Sequence, residues 1–469
     1  MDLLEQARTF ALSDQHRAFA LEDDFDDNEN ASAGWRRAEE MTRKLGAQVA
    51  QSPDTLKALL PDLVSSRGSR LHILGRGLAD GCNDKREMFE ILRSEIERTS
   101  PEKRNISVFL GFLSASAESD HSFYNSTLDS LVSDDVLGEW FPIFQTTSTI
   151  DQRGIQRLHE ALDLGKAKIH TFQNLAWGRA HESINDDELA ALLKKILSKE
   201  EGLGVTMEIL QMRFHGRNDK SPKISNNLIA VARDVLSRHT FAEKFRGQGD
   251  HDADLADIAC ICLNGEDGIP AATQVGQKLA KAIMDQRVYA FDYPRLLDSL
   301  AQAQPIVFLD VFLGGNNIEE TQRRRMFFYD FLMRGNPLNQ IPDRELLSWC
   351  EKDSAVRYPI IASAIQPFTK SSESGKFEWK PVVYAIFEKA PDLDAILERL
   401  ADAIWPKSWS GSLADILLSR AVLFQELYDH ENAKIRAWAR ARYSDLQESI
   451  QKEREGEEQR GRERNERFE

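Results

Sequence analysis

Eight positions in the second half of the chain mark the starts of short helices in a repeating order. A proline or serine opens the first helix of each pair, at Pro305, Pro342, Pro381 and Ser412. An Asn or Asp opens the second helix, at Asn317, Asp353, Asp392 and Asn432. Proline suits the first turn, where its missing N–H has no intrahelical partner, and an Asn or Asp side chain accepts a backbone N–H that would otherwise be unpaired. The second helices recur at roughly 36–40 residues, the period of two-helix repeats, so the pattern predicts an all-α solenoid of stacked antiparallel helix hairpins.

Composition and charge narrow the classes of function. The 469 residues include 60 basic and 76 acidic side chains, a formal net charge of −16. Phosphate contacts need a basic face, so this charge makes nucleic acid an unlikely general partner. The four cysteines, Cys82, Cys260, Cys262 and Cys350, are too scattered for a disulfide framework and favour a reducing compartment. The first residues lack the apolar core of a signal peptide and no stretch reaches the length of a membrane span, so the sequence predicts a cytoplasmic protein.

Helix-start signals continue through the first half with less regular spacing. One example is Asn185, which precedes Asp-Asp-Glu and an apolar run and looks like a capping box. The polar, glycine-containing stretch at 245–254 favours a boundary. We therefore predict an N-terminal region of irregular helix hairpins at 1–255, C-terminal helical repeats at 256–450 and a charged tail at 451–469. The tail is either an extension of the last helix held by i,i+4 ion pairs or a frayed end, and Gly456 and Gly461 favour fraying.

Two short segments carry a resemblance to a known repeat family. Asp353-Ser-Ala-Val-Arg-Tyr and Asn432-Ala-Lys-Ile-Arg-Ala resemble the second helix of HEAT-like repeats, in which a capping Asp or Asn precedes a branched aliphatic residue and an arginine. The resemblance implies a HEAT/armadillo-like fold, with Arg357 and Arg436 in a structural role between neighbouring repeats. The segment from 408 to the end is also similar to the C-terminal helical sensor arrays of bacterial anti-phage STAND-type NTPases, which implies a role in bacterial defence. Gly165-Lys166 and Gly375-Lys376 lack the rest of a P-loop, so an NTPase motor would lie on another chain or have been removed.

Two groups of residues are candidates for partner binding. Trp405 and Trp409 are large aromatics in a predicted loop, the kind of side chain that anchors interfaces, although packing between hairpins would explain them equally well. Arg323, Arg324 and Arg325 form the strongest basic run, which suits an acidic partner or RNA, or simply a solvated helix face.

A metal-dependent enzyme is the main catalytic alternative. His251-Asp252 resembles the His-Asp pair of HD-type phosphohydrolases, which would need a separate His and a later Asp, here His239 and Asp285, as further ligands. The competing interpretation is a polar loop that caps the next helix. Three weaker motifs favour structural roles. Gly75-Arg-Gly77 superficially resembles a dinucleotide-binding turn but favours close packing at a helix boundary. Glu378-Trp-Lys380 has the Glu-x-Lys form of a nuclease metal site but favours the entry to a helix, and Cys260 and Cys262 favour core positions over ligand positions.

The sequence therefore predicts a non-catalytic α-helical repeat scaffold or sensor that binds a protein partner, with no cofactor, no metal and no membrane contact. The HD-type phosphohydrolase and a nucleic-acid-binding helical repeat that uses the arginine run remain as alternatives. The partner and the oligomeric state are left open.

Overall fold

The computed structural model describes residues 2–12, 28–217, 222–241, 251–315, 317–331, 335–372, 375–406 and 408–466, most of which lie in helices. Contacts between Cα atoms divide the chain into two units, Met1–Val231 and Ala232–Glu469. This division comes earlier than the predicted boundary at 255/256, and the larger part of the polar stretch that motivated that boundary, 245–250, lies outside the described residues. Within the described part of the chain, no helix combines the length and the apolar character needed to cross a lipid bilayer.

The first unit is built from short helices. Its α-helices are α1 (Leu3–Ala7), α2 (Asn28–Ala50), α3 (Pro53–Leu63), α4 (Leu71–Gly81), α5 (Lys85–Arg98), α6 (Ser107–Ser119), α7 (His121–Leu131), α8 (Phe141–Gln145), α9 (Gln152–Leu164), α10 (Asp186–Leu197), α11 (Gly202–Phe214) and α12 (Asn226–Arg238), the last of which contains the division. A π-helical turn spans Arg8–Leu12, and 3₁₀ turns span Pro101–Lys103, Gly138–Trp140, Ile169–Leu175 and Trp177–Ser183.

The second unit continues the same architecture. Its α-helices are α13 (His251–Cys262), α14 (Ile269–Met284), α15 (Pro294–Ala303), α16 (Pro305–Phe312), α17 (Ile318–Phe331), α18 (Asp343–Glu351), α19 (Ser354–Ala364), α20 (Pro381–Lys389), α21 (Leu393–Asp402), α22 (Leu413–Glu426) and α23 (Ala433–Glu466). Short 3₁₀ turns span Glu266–Gly268, Ala290–Asp292 and Pro337–Gln340, and two strands, β1 (Phe368–Lys370) and β2 (Phe377–Trp379), form an antiparallel pair. The prediction of an all-α fold is confirmed apart from this hairpin.

Glycines allow α4 to pack closely against both α2 and α6. A Cβ atom added at Gly77 would lie well inside 3.0 Å of the Arg43 carbonyl oxygen, and one added at Gly111 would lie as close to the His72 carbonyl oxygen. Real Cβ atoms essentially never come so near. The Gly75-Arg-Gly77 segment therefore serves helix packing, as the sequence favoured, but it lies inside α4 and not at the helix boundary that we expected.

In the second unit, several helices pack on the helix two places along the chain. The helix α14 contacts α16, α16 contacts α18, and α18 contacts α20. A second series joins α13 to α15 and, further along, α19 to α21 and α21 to α23. This alternation is what successive helix hairpins produce when each hairpin packs against the next.

Side-chain caps confirm most of the helix starts predicted from the Asn and Asp positions. The Asn317 Oδ1 accepts the Glu320 N–H at 2.8 Å, and the Glu320 carboxylate accepts the Asn317 N–H at 2.8 Å. The Asp392 carboxylate accepts the Ala395 N–H at 3.1 Å, and Asn432 Oδ1 accepts the Lys434 N–H at 2.9 Å. Asp353 differs, because α19 begins after it without a hydrogen bond from its side chain; its backbone carbonyl accepts the first N–H groups instead. The prediction of a capping side chain at Asp353 was wrong.

These caps provide a matched pair of substitutions. Asp392→Ala is expected to lower the free energy of unfolding of the second unit by about 0.5–2 kcal/mol, because the Ala395 N–H loses its acceptor. Asp353→Ala removes the same carboxylate from the same position of another helix and is expected to change the free energy by less than about 0.5 kcal/mol. Urea unfolding curves of the two variants and the parent measure both. Equal losses in the two variants would show that the carboxylates stabilise the helices through charge alone.

The β-hairpin was not predicted from the sequence. Phe368 pairs with Trp379, and the Trp379 indole N–H donates to the Leu423 carbonyl oxygen of α22 at 2.7 Å. The Arg420 guanidinium lies over the Phe368 ring, 5.4 Å from its centroid. With only three residues a strand, the hairpin is stabilised by its contacts with α22 rather than by its own ladder.

The C-terminal segment is a continuous helix as far as Glu466, which is the extension of the last helix and not the fraying that the two glycines favoured. Glu457 explains this, because its carboxylate caps the start of α22. It accepts the Ser412 hydroxyl at 2.7 Å and the Leu413 N–H at 2.8 Å. These hydrogen bonds favour the ionised carboxylate, so the pKa of Glu457 is lowered from its ordinary value of 4.5, chiefly by Ser412.

The lowered pKa predicts a pH-dependent contribution of Glu457 to stability. The contribution is fully present above the pKa of the unfolded chain and is lost as the pH falls through the lower pKa of the folded chain. Glu457→Gln is therefore expected to lower the melting temperature at pH 7, and the difference from the parent should shrink as the pH falls below about 4. Glu458→Gln, at an exposed neighbouring position, is the control. A difference between parent and Glu457→Gln that stays constant with pH would contradict the cap.

Candidate binding groove

A groove in the second unit is lined by residues of five helices, α14 to α18, and of the segments that connect them. Its cavity volume is about 1250 Å³, above the usual range of about 300–1,000 Å³ for small-molecule sites. The apolar residues that line it are Ile269, Ala280, Met284, Pro305, Ile306, Val307, Val311 and Pro342. The charged residues are Lys281, Asp285, Asp310, Glu319, Glu320, Arg323, Arg344 and Glu345.

The helix α16 forms the apolar floor of the groove because both of its sides are apolar. Phe308, Leu309 and Phe312 are buried in the core, whereas Ile306, Val307 and Val311 remain half-exposed and line the groove. Gly276 of α14 lets the two helices come close, since a Cβ atom there would lie 3.3 Å from Val311 Cγ1. The chain therefore leaves part of the aliphatic surface of α16 uncovered beside its contact with α14.

One acidic side chain at the rim is fixed in place by the neighbouring hairpin. The buried Trp349 of α18 donates its indole N–H to Asp310 Oδ1 at 2.7 Å. Arg357 of α19 lies over the Trp349 ring, 4.3 Å from its centroid, and 3.5 Å from the Asp310 carboxylate. About half of the Asp310 side chain is still exposed, at 52%. Arg357 thus links α19 to α16, as the HEAT-like resemblance implied, whereas Arg436 donates to the His430 and Glu431 carbonyl oxygens beside its own helix.

The arginine run has three different environments. Arg323 donates to the Gly314 carbonyl oxygen at 2.9 Å and borders the groove. Arg324 is buried and donates to the carbonyl oxygens of Leu313 and Gly315 and to the Thr321 hydroxyl. Burial, together with the positive charge of Arg323, lowers the pKa of Arg324. Arg325 alone of the three is exposed, so two of the three guanidinium groups hold the end of α16 rather than present a basic face.

The two tryptophans predicted as interface anchors lie between α21 and α22 and do not line the groove. Trp405 is 43% exposed and borders a small cavity of about 140 Å³ beside the Glu398–Arg442 ion pair. Trp409 is 54% exposed. Their role in binding a partner stays a prediction.

The structure describes only one side chain of the His-Asp pair, that of Asp252. Asp252 is buried, and its two carboxylate oxygens accept the backbone N–H groups of Arg295 and Leu296 at 3.1 and 2.9 Å. It therefore caps the start of α15, not the helix in which it lies. The side chain of His251 lies outside the described part of the structure. The His239 ring contacts Phe241, and Asp285 pairs with Arg287 at 3.3 Å. Among the described side chains, no three His, Cys, Asp or Glu residues are grouped so as to hold a metal ion.

Two of the weaker motifs match only in part the structural roles that we predicted for them. Cys262 is buried, and burial raises the pKa of its thiol to about 12, but Cys260 is exposed, so only one of the two is a core residue. Glu378 lies in β2, where no strand was expected, and Lys380 precedes α20 as predicted.

Comparisons of the chain with protein-family models, with curated proteins and with solved structures gave no match. The geometry of the chain therefore carries the functional proposal. Sequence reasoning missed the groove, because hydrophobic periodicity cannot show which side is left uncovered in an eight-residue helix whose residues are all apolar except Asp310. The sequence carried one signal that could have indicated the groove. Pro305–Phe312 contains more apolar residues than one buried helix face requires.

Proposed function

We propose that the chain is a non-catalytic α-helical repeat scaffold that binds a protein partner through the groove between α14, α16, α17 and α18. The observation that carries the proposal is the uncovered aliphatic floor of a groove larger than ordinary small-molecule sites. Burial of such a floor by a partner supplies free energy of about 25 cal/mol per Å² of apolar surface. The alternation of helix contacts supports a HEAT-like solenoid as the architecture, since solenoids present extended surfaces to partners. Because the C-terminal segment resembles anti-phage sensor arrays, we propose more specifically that the scaffold acts as a sensor in bacterial defence.

The two alternative functions receive less support from the geometry. A phosphohydrolase would use Asp252 as a metal ligand, but both of its carboxylate oxygens already accept backbone N–H groups of α15. A nucleic-acid interface would use the arginine run, but Arg323 and Arg324 donate to carbonyl oxygens next to α16.

A pair of double variants tests whether the groove binds the partner. Ile306→Gln/Val311→Gln removes aliphatic surface from the floor without changing the charge, and Gln is a good helix former. We expect this variant to lose at least about tenfold in affinity for the partner captured by the parent chain, which corresponds to about 1.4 kcal/mol. Leu164→Gln/Leu418→Gln changes two exposed leucines outside the groove and is expected to bind as the parent does.

The measurement is quantitative capture from lysate followed by titration of the identified partner. Circular dichroism and thermal melting establish that both double variants are folded. Equal affinity of the two variants would rule out the groove as the contact surface.

A further inference from the structure

The acidic rim and aliphatic floor of the groove define the chemistry of the segment that would fill it. We infer that this segment is a short amphipathic α-helix of the partner protein, apolar on one face and basic along its flanks. The inference rests on the proposed function and adds the class of partner.

A helix fits the groove better than an extended segment does. The walls are helices, whose internal backbone N–H and C=O groups are already paired, so they offer no strand edge to an extended chain. An extended segment would bury unpaired backbone groups there, at a cost of about 1–3 kcal/mol for each. A helix enters with its backbone hydrogen bonds made and needs only side-chain contacts.

The volume sets the length of the segment. A helix about 10 Å across with a rise of about 1.5 Å per residue occupies roughly 120 Å³ per residue. The groove of about 1250 Å³ therefore accommodates roughly ten residues, or about three turns. Over this length, apolar side chains at positions i, i+3, i+4 and i+7 lie on one face and can reach Met284, Ile306, Val307 and Val311.

The charges of the lining favour a basic segment. Five acidic and three basic side chains line the groove, a formal excess of two negative charges. Two ion pairs within the lining each balance one acidic and one basic group: Arg344 lies 3.3 Å from Glu345, and Lys281 lies 3.9 Å from Asp285. The third basic group, Arg323, donates to the Gly314 carbonyl oxygen. Glu319 is exposed at the rim, and half of Asp310 is exposed as well, although its carboxylate lies 3.5 Å from Arg357. The formal charge of −16 on the whole chain adds long-range attraction for a cation.

Synthetic peptides test the inference on the whole 469-residue chain. The probe is a fluorescently labelled 18-residue helix with leucines at i, i+3, i+4 and i+7 and lysines on both flanks. One comparison peptide carries glutamates in place of the lysines, and a second has the composition of the probe in scrambled order. The quantity measured is the dissociation constant by fluorescence anisotropy at low and at physiological salt.

The basic amphipathic helix is expected to bind at least tenfold more tightly than either comparison peptide, with an affinity that falls as salt rises. Glu319→Lys should weaken its binding at least threefold, whereas Glu160→Lys, an exposed position of the first unit with the same charge change, should not. Equal binding of the scrambled peptide, equal effects of the two charge variants, or no binding of the basic helix would overturn the inference.

The outcome is separable from that of the proposed function. If the peptide does not bind but the captured partner still binds the Ile306→Gln/Val311→Gln variant more weakly than the parent, the basic-helix chemistry is wrong. The groove then remains the proposed protein-binding surface. If the peptide does not bind and the double variant binds the partner as the parent does, both the inference and the proposed function are overturned.

Discussion

Replacing Gly111 with alanine is expected to destabilise the first unit by about 3 kcal/mol, one of the two largest effects of a single substitution that the structure predicts. The new Cβ atom would meet the backbone carbonyl oxygen of His72, which belongs to α4 and has no rotamer to change. The two helices must then separate, and overpacking of this kind costs about 1–3 kcal/mol or more. Loss of the close contact between α4 and α6 also exposes the apolar side chains around it.

Gly204→Ala is the matched control for Gly111→Ala. It lies in α11 of the same unit, and a Cβ atom there would meet nothing within 4 Å. Alanine is favoured over glycine within a helix by about 0.5–1 kcal/mol, so this variant should be slightly more stable than the parent. Urea unfolding followed by circular dichroism measures both. A Gly111→Ala protein as stable as the parent would mean that α4 and α6 are farther apart than the structure shows.

The second large effect is expected at Trp349, the buried side chain that joins the groove to the next hairpin. Trp349→Ala should cost about 3–5 kcal/mol, because it removes a fully buried ring, the hydrogen bond to Asp310 and the contact with the Arg357 guanidinium. Trp409→Ala, also in the second unit but 54% exposed, is expected to cost less than about 1 kcal/mol.

Trp349→Phe separates packing from hydrogen bonding at this position, since it keeps an aromatic ring and loses the indole N–H. If Asp310→Asn in the Trp349→Phe background costs as much as it does in the parent, the indole–carboxylate bond does not contribute to stability. A loss at Trp409 as large as that at Trp349 would show that the exposed loop packs against the core.

The helical class and several helix starts could be predicted from the sequence because they depend on local chemistry. Asn317 and Asp392 cap helices through groups two to four residues away, and such contacts can be recognised within a short window. Asp353 has the same sequence pattern, but its side chain does not accept a hydrogen bond from the helix, so pattern alone overestimated the cap there.

Features that depend on distant residues could not be predicted. Glu457 caps a helix that begins more than forty residues earlier, and the propensity of Gly456 therefore favoured the wrong one of the two alternatives for the C-terminal segment. The groove likewise depends on how α14, α16 and α18 pack, and Asp310 becomes part of its rim through Trp349, 39 residues away. The basic run at 323–325 had a pattern typical of a binding face, yet Arg324 is buried because it satisfies carbonyl oxygens just after α16.

Hydrogen–deuterium exchange of the chain with its captured partner bound tests most directly whether the groove is the binding surface. The account predicts that the partner slows exchange of amides in 280–284, 305–312 and 317–323, and leaves 403–412 and the first unit unchanged. Protection confined to 403–412, around Trp405 and Trp409, would move the binding surface to the loop between α21 and α22 and contradict the assignment of the groove.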